Sequence, residues 1–479
     1  MRTLLLFLLL SLPVYYLASG EEVTPAPEIA FPKMDHQVEI IRLQGSKPGQ
    51  TLLLVGGIHG DELASCLAVE RYTRLQLKRG QMIIIPRLNQ RAILAGQRGL
   101  NGVDMNRLFD LPEEKLPQPE GEVINLIKKL VKEASCVVNT HQGSGFYSPT
   151  WINRQRNPAR WGQCNVIDAP FFDLPNGEQL RLEEFANRVV RKANLKIKQS
   201  QYHFQVNNTN TASEHSRHKE QRKSLTYYAL TQTHRMALGV EVTKDCSLTE
   251  AVSFMTIAIN AVMEELGIVP TAAPLTGAEA VRKELTEQNR LNGLTVLVNG
   301  KKKTIPVGGS IFLQPGETLT LVKLETPFPL GWSVQTRENK ERVFPDENFA
   351  PARDTTLQVR KDSQRYLFPV RVRKSTVTGL EVALSQKVRT YYPQETIILP
   401  ARQSFKIVRV LGETDGPVTV DIKGFVGNQR HNDGRDSGYE VTAEKLRPRF
   451  ALDAEKTLYR IEVRKDNLLL DELFLKVVR

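Results

Sequence analysis

A histidine and a carboxylate three positions apart follow an apolar run in residues 52–62, LLLVGGIHGDE. The leucines and Val55 predict a buried strand, and Gly56 and Gly57 permit a tight turn that presents His59 and Glu62 together at the start of a helix. One imidazole and one carboxylate suit a catalytic zinc, which takes three protein ligands and leaves a fourth position open. His141, in VVNTHQGSGFY, ends a second apolar run and can supply the other imidazole. Gly143 and Gly145 beside it give a ligand close access, and Asn139 is placed to support it from behind. Glu241, in LGVEVTK, is a carboxylate in the middle of an apolar strand. A nearby cation would justify that burial and let it take a proton from water. Arg98 and Arg107, in RGLNGVDMNRLF, can pair with a carboxylate through two parallel hydrogen bonds or polarise a carbonyl.

These residues must be positioned by a mixed α/β unit. Apolar runs predict strands at 38–43, 52–55, 82–86, 136–140 and 237–242, with helices over 62–77, 120–133, 180–196 and 248–266. The alternation implies a largely parallel sheet with helices on both faces. In open sheets of that kind ligands bind beyond the carboxyl ends of the strands, where His59, His141 and Glu241 fall. After residue 269 the run PTAAPLTG reads as a linker, followed by a short helix over 278–288. The remainder is all-β, with short alternating strands and an Asn299-Gly300 hairpin turn, and fits two β-sandwich modules. The expected boundaries are 21–36 for a proline-containing lead-in, 37–270 for the catalytic domain, 271–290 for the linker, and 291–375 and 376–479 for the modules.

The 479 residues exceed what one core usually supports, and a formal charge of +12 favours anionic partners. No arginine-rich tract or RNA-binding signature points to nucleic acid, and the dinucleotide-binding glycine fingerprint is absent. Arg2, an apolar run over 4–17 and Ala18-Ser19-Gly20 have the form of an export signal over residues 1–20. Read as a cleaved signal it implies a mature protein in the periplasm or outside the cell, with no stable membrane insertion after cleavage; an uncleaved membrane anchor is the alternative, against which the run is short for a full span. Export would permit disulfides among Cys66, Cys136, Cys164 and Cys246, while buried thiols explain them equally well. His215 and His218 lie in a polar stretch read as a loop, not a metal site. Trp161 fits either a substrate cleft or a core.

The runs GGIHGDE, RGLNGVDMNR, NTHQGSGF and LGVEVT occur in the order found in the zinc carboxypeptidase superfamily, which the chain resembles over residues 37–270. The resemblance implies Zn2+ held by His59, Glu62 and His141, and Glu241 as general base and proton shuttle. It also implies Arg98 as the carbonyl-polarising arginine, with Asn106 and Arg107 holding the C-terminal carboxylate. Three departures narrow the branch: a short interval from Glu62 to His141, Asn139 where many relatives have aspartate, and the all-β tail. Together with the signal these are similar to bacterial D,L-carboxypeptidases that trim peptidoglycan peptides and determine helical cell shape. Some of those carry glutamine at the first ligand position, where this chain has His59. The implied reaction is removal of a C-terminal residue, meso-diaminopimelate, from peptidoglycan stem peptides, with cell-wall or scaffold contacts through the β modules. The alternatives are an N-acyl amino acid deacylase of the aspartoacylase type and an inactive wall-binding protein.

Overall fold

In a computed structural model, which describes residues 26–478 apart from 375, 386, 413–415, 429–430 and 466–467, the described residues divide into two compact units at Leu285/Thr286. The export signal expected over residues 1–20 lies outside the described residues. The first unit is built on a nine-stranded sheet. Its strands are β1 (Glu28–Ala30), β2 (Val38–Gln44), β3 (Lys47–Val55), β4 (Leu77–Ile85), β5 (Cys136–Gly143), β6 (Cys164–Ile167), β7 (Gln205–Asn208), β8 (Met236–Thr243) and β9 (Val269–Pro270). They lie in the order β1-β2-β4-β3-β5-β8-β6-β7, with β9 also paired to β4. Pairing is parallel through β4, β3, β5 and β8 and again between β6 and β7, and antiparallel at the other joints. The sheet is therefore mixed with a parallel centre, and β1 draws part of the expected lead-in into its edge.

Central strands buried on both faces read as unbroken apolar runs, and Leu52 to Val55 are all fully buried. Helix α3 (Glu120–Glu133) follows α1 (Leu63–Glu70) and the short α2 (Gln90–Ala95). Its Val123, Ile124, Ile127, Leu130 and Val131 form one apolar stripe, which packs against Leu53, Val55, Ile83, Ile85 and Val137. Residues of opposite parity, such as Leu54 and Val138, are buried on the other face, where α1 and α6 (Leu248–Glu265) pack together. Helices α4 (Leu182–Asn194) and α5 (Leu225–Thr233) complete the unit, and Ser247 with Glu250 forms a capping box that starts α6. Among the described residues no helix is long and apolar enough to cross a membrane.

One expected element is shorter than its pattern suggests. The helix predicted over 62–77 stops at Glu70, and the chain turns through Arg71 to Thr73 on i−3 hydrogen bonds before β4 begins at Leu77. The buried Arg71 guanidinium is held by Thr256 Oγ1 at 2.8 Å, by Glu284 at 2.7 Å and by the Leu275 carbonyl at 2.6 Å. These bonds outweigh the helix-compatible sequence, and they also anchor α7 (Ala278–Gln288), which lies within the expected linker.

The loop before α1 is sterically exacting. A Cβ at Gly60 would stand 2.1 Å from the Ala92 carbonyl carbon in α2, a collision with backbone that cannot yield. Gly60→Ala is expected to cost at least about 1–3 kcal/mol, read as a lower denaturation midpoint in urea.

In the second unit, residues 293–372 form two four-stranded sheets that share one apolar core, in which Leu294 and Val296 of one sheet meet Leu357, Val359 and Phe368 of the other. Residues 377–478 repeat the arrangement around Leu380, Ile407, Ile461 and Leu473. The expected hairpin pairs Val298 with Lys301, and Asn299 and Gly300 take φ of 48° and 75°. Two left-handed residues give the turn whose twist matches its strands. The Asp436 carboxylate is buried and accepts from the backbone N–H groups of Ile422 and Gly427, so residues 432–436 make a structural turn.

Candidate metal centre and active site

Sheet register places the chemistry. β5 and β8 run in parallel with Glu241 directly beside His141, and an even number of residues separates each from Val137 and Ala237, which face the α3 side. Neighbouring strands are about 4.8 Å apart, so register alone brings this imidazole and carboxylate onto one face. His59 arrives from the turn after β3, and Glu62 is the residue that precedes α1.

The three expected ligands converge. Donor atoms of His59, Glu62 and His141 all lie within 4.8 Å of one another, and this is the metal-competent cluster among the described residues; His215 and His218 are not part of it. His59 Nδ1 is 2.9 Å from Glu62 Oε1, His141 Nδ1 is 3.0 Å from Oε2, and the two ring nitrogens are 3.2 Å apart. Two imidazole nitrogens so close, both turned to one carboxylate, make a donor set that a cation satisfies better than hydrogen bonds can. Burial works against the charge on Glu62, but the facing His141 and His59 hold its carboxylate well below the ordinary range. Burial also pushes His141 toward its neutral, ligating form.

Asp104 completes the support, and sequence reasoning missed it. Its Oδ1 lies 3.1 Å from His59 Nε2, which as an N–H donor would leave the Nδ1 lone pair turned toward Glu62 and His141. Asp104 also accepts from Arg98 Nε at 2.9 Å and from the Asn106 backbone N–H at 2.9 Å. Its only sequence signal is a carboxylate in the DMNR run. Asp104→Ala is expected to weaken metal binding by about 10–100-fold in a competitive chelator titration. Asn139 plays a different part from the one expected: it donates to Asn106 Oδ1 at 3.5 Å, not to His141.

A cavity of 240 Å³ gathers His59, Glu62, His141, Glu241, Arg98, Asn106 and Arg107 on its wall. Gln142, Val166, Gln221 and Thr226 join them, brought in by β5, β6, the segment before α5 and the first turn of α5, and no local pattern marks them. Trp161 is not on this wall; it stacks on Tyr147 at 3.9 Å. Burial, reinforced by the charge of Glu62, pushes the Glu241 carboxyl up to about 7. A Cβ at Gly143 would be 2.5 Å from Glu241 Oε2, so glycine is needed there for that carboxylate to lie over β5. Arg98 Nη1 is 3.3 Å from Glu62 Oε1. Asn106 Oδ1 accepts from the Leu225 N–H at 3.0 Å, which leaves its amide nitrogen as the group for a ligand. Arg107 donates from Nη1 to the Asn106 carbonyl at 2.9 Å. The four cysteines are free thiols, with Cys66, Cys136 and Cys164 buried.

A mixed α/β sheet with a His-Glu-His cluster, a buried carboxylate and an arginine-bearing loop on one cavity defines the class of metallo-carboxypeptidases. The chain belongs to the family of carboxypeptidases controlling helical cell shape, whose catalytic-domain model matches residues 33–272. It is similar in fold to the cell shape determinant protein Csd4 from Helicobacter pylori, with a TM-score of 0.62 and 22% identity over 92% of this chain and all of that one. The mDAP-bound form of Csd4, described as a D,L-carboxypeptidase, gives 0.61 and 21% over 91% of this chain and all of that one. A shorter stretch of 105 residues is 32% identical to an N-alpha-acetyl-L-2,4-diaminobutyric acid deacetylase from Halomonas elongata, and covers 20% of this chain and 29% of that protein.

Proposed function

We propose that the protein is an exported zinc carboxypeptidase that removes the C-terminal residue, meso-diaminopimelate, from peptidoglycan stem peptides. The observation that carries this reading is one cavity holding a His-Glu-His donor set, a buried carboxylate and an amide–guanidinium pair. When bound by His59, Glu62 and His141, zinc would supply a Lewis acid that makes water a nucleophile near neutral pH. Glu241 takes the proton of the attacking water and returns it to the leaving amine. Arg98 places its charge on the oxyanion that develops from the scissile carbonyl. Asn106 and Arg107 hold the terminal carboxylate, which confines cleavage to the chain end. Trp161, stacked on Tyr147 off the cavity wall, takes a flanking role toward the substrate.

Support for the substrate comes from family membership, from the likeness in fold to a protein seen with mDAP, and from a formal charge of +12 suited to an anionic wall. The N-terminal residues 1–20 have the form of a signal for export to the periplasm. The local match to a deacetylase makes acyl amino acids the proper control substrates. Mass analysis of muropeptides incubated with purified protein should show loss of diaminopimelate, abolished by a chelator and restored by Zn2+. Turnover of acyl amino acids alone, with muropeptides untouched, would overturn the reading.

A further inference from the structure

The second unit contains a cavity of 270 Å³ that residues 293–372 and residues 377–478 line together. Its floor includes Asp471, whose residue is 4% exposed. A carboxylate so buried normally takes a cation or several donors. Among the described residues Asp471 has a single hydrogen bond, from the neighbouring Glu472 N–H at 2.8 Å, and makes no ion pair. Lys303 is on the same wall and feels the charge of Asp471, yet its ammonium donates to Gln394 Oε1 at 2.7 Å instead. Burial accordingly pushes the Asp471 carboxyl up to about 7.

The other polar groups of the cavity divide into satisfied and open. Glu317 accepts from Asn299 Nδ2 at 2.8 Å and from the Gln314 N–H at 2.7 Å. The terminal nitrogens of Arg373 are tied to Asp354 at 2.9 Å and to the Leu469 carbonyl at 2.9 Å, while its buried Nε has no partner among the described residues. Lys301, exposed at the rim, has neither a hydrogen bond nor an ion pair among the described residues. One carboxylate short of donors and one ammonium without a protein partner therefore face a single cavity whose wall is otherwise mixed, with Val298, Phe312, Leu313, Val377 and Pro393 as its apolar part.

We propose that this cavity is a second binding site, for a small zwitterion of the amino acid or dipeptide class. The ligand's ammonium pairs with Asp471 and its carboxylate with Lys301 and Lys303. The desolvation of Asp471 is offset by the incoming ammonium, and the apolar part of the wall takes the ligand's side chain. The site is separate in residues from the peptidase cavity and does not depend on what that cavity hydrolyses.

The test is titration calorimetry on the full chain with L-Ala-L-Ala, alongside its N-acetyl form, which lacks the ammonium, and its amide, which lacks the carboxylate. Saturable binding is expected to the wild type and equally to Arg107→Ala, in which the peptidase site cannot hold a carboxylate. Each blocked form should bind about tenfold or more weakly, as should Asp471→Asn and Lys301→Ala with the parent dipeptide. Lys301 is exposed, so its variant keeps the test valid if Asp471→Asn fails to fold. Absence of saturable binding, binding indifferent to Lys301→Ala, or binding lost in Arg107→Ala would overturn the proposal.

Discussion

Glu241→Gln is expected to lower kcat on a muropeptide by about 10²–10⁴-fold while the metal content stays unchanged. Glutamine keeps the volume above Gly143, where the carboxylate oxygen would lie 2.5 Å from a Cβ, so the substitution removes the base without refilling the site. Metal content measured by atomic emission separates loss of the base from loss of the donor set, because Glu241 is not in the His59, Glu62, His141 cluster. Full activity in this variant would remove Glu241 from the mechanism. The acid limb of kcat/KM should rise with pH, since only the ionised carboxylate accepts a proton. Without a cation that group titrates near 7, and a bound dication favours its charged form, so the limb belongs below 7 in the loaded enzyme and should be absent from the variant.

Stability carries the same signature with a definite sign. The Glu241 carboxyl is raised from 4.5 to about 7 in the folded, metal-free protein, so the folded state holds a proton that the unfolded state has released across that window. Its contribution is present below 4.5 and is lost as pH rises toward 7. The wild-type minus Glu241→Gln difference in Tm should therefore fall, becoming more negative, as pH rises between those values in the presence of a chelator.

Arg107→Ala should reduce kcat/KM by about 2–5 kcal/mol, on the order of 30- to several-thousand-fold, and remove the preference for a free terminal carboxylate. The guanidinium lies on the cavity wall with one nitrogen on the Asn106 carbonyl, and the Asn106 oxygen is engaged by the Leu225 N–H. These bonds orient the remaining donors of both side chains toward the cavity. Kinetics on a stem peptide and on its C-terminal amide provide the measure: the wild type should reject the amide, and the variant should treat both alike. Persisting discrimination in the variant would assign the carboxylate to another group. The effect should fall chiefly on KM if Arg107 binds ground and transition states equally.

Local pattern was enough for much of this protein. The apolar run through Leu52 to Val55, the glycine turn that follows, the 3.6-residue stripe of α3 and the Asn299-Gly300 hairpin all follow from side-chain periodicity and backbone freedom within a few residues. The residue types of the donor set were readable for the same reason, since His59 and Glu62 are three positions apart and a buried Glu241 is conspicuous in an apolar strand. The sequence also carries the shift to all-β alternation after residue 290. Only the tertiary structure brought Glu241 beside His141, because their adjacency depends on the register of two parallel strands joined through a long crossover. It alone placed Asp104 on His59, a contact between residues 45 positions apart. It ended α1 at Glu70 through bonds from Arg71 to α6 and to Glu284, and it set Trp161 outside the cavity that local reading had offered it. Periodicity records which side of an element is buried, whereas register, long-range hydrogen bonds and cavity walls arise from how those sides pack, and no short stretch of chain contains that information.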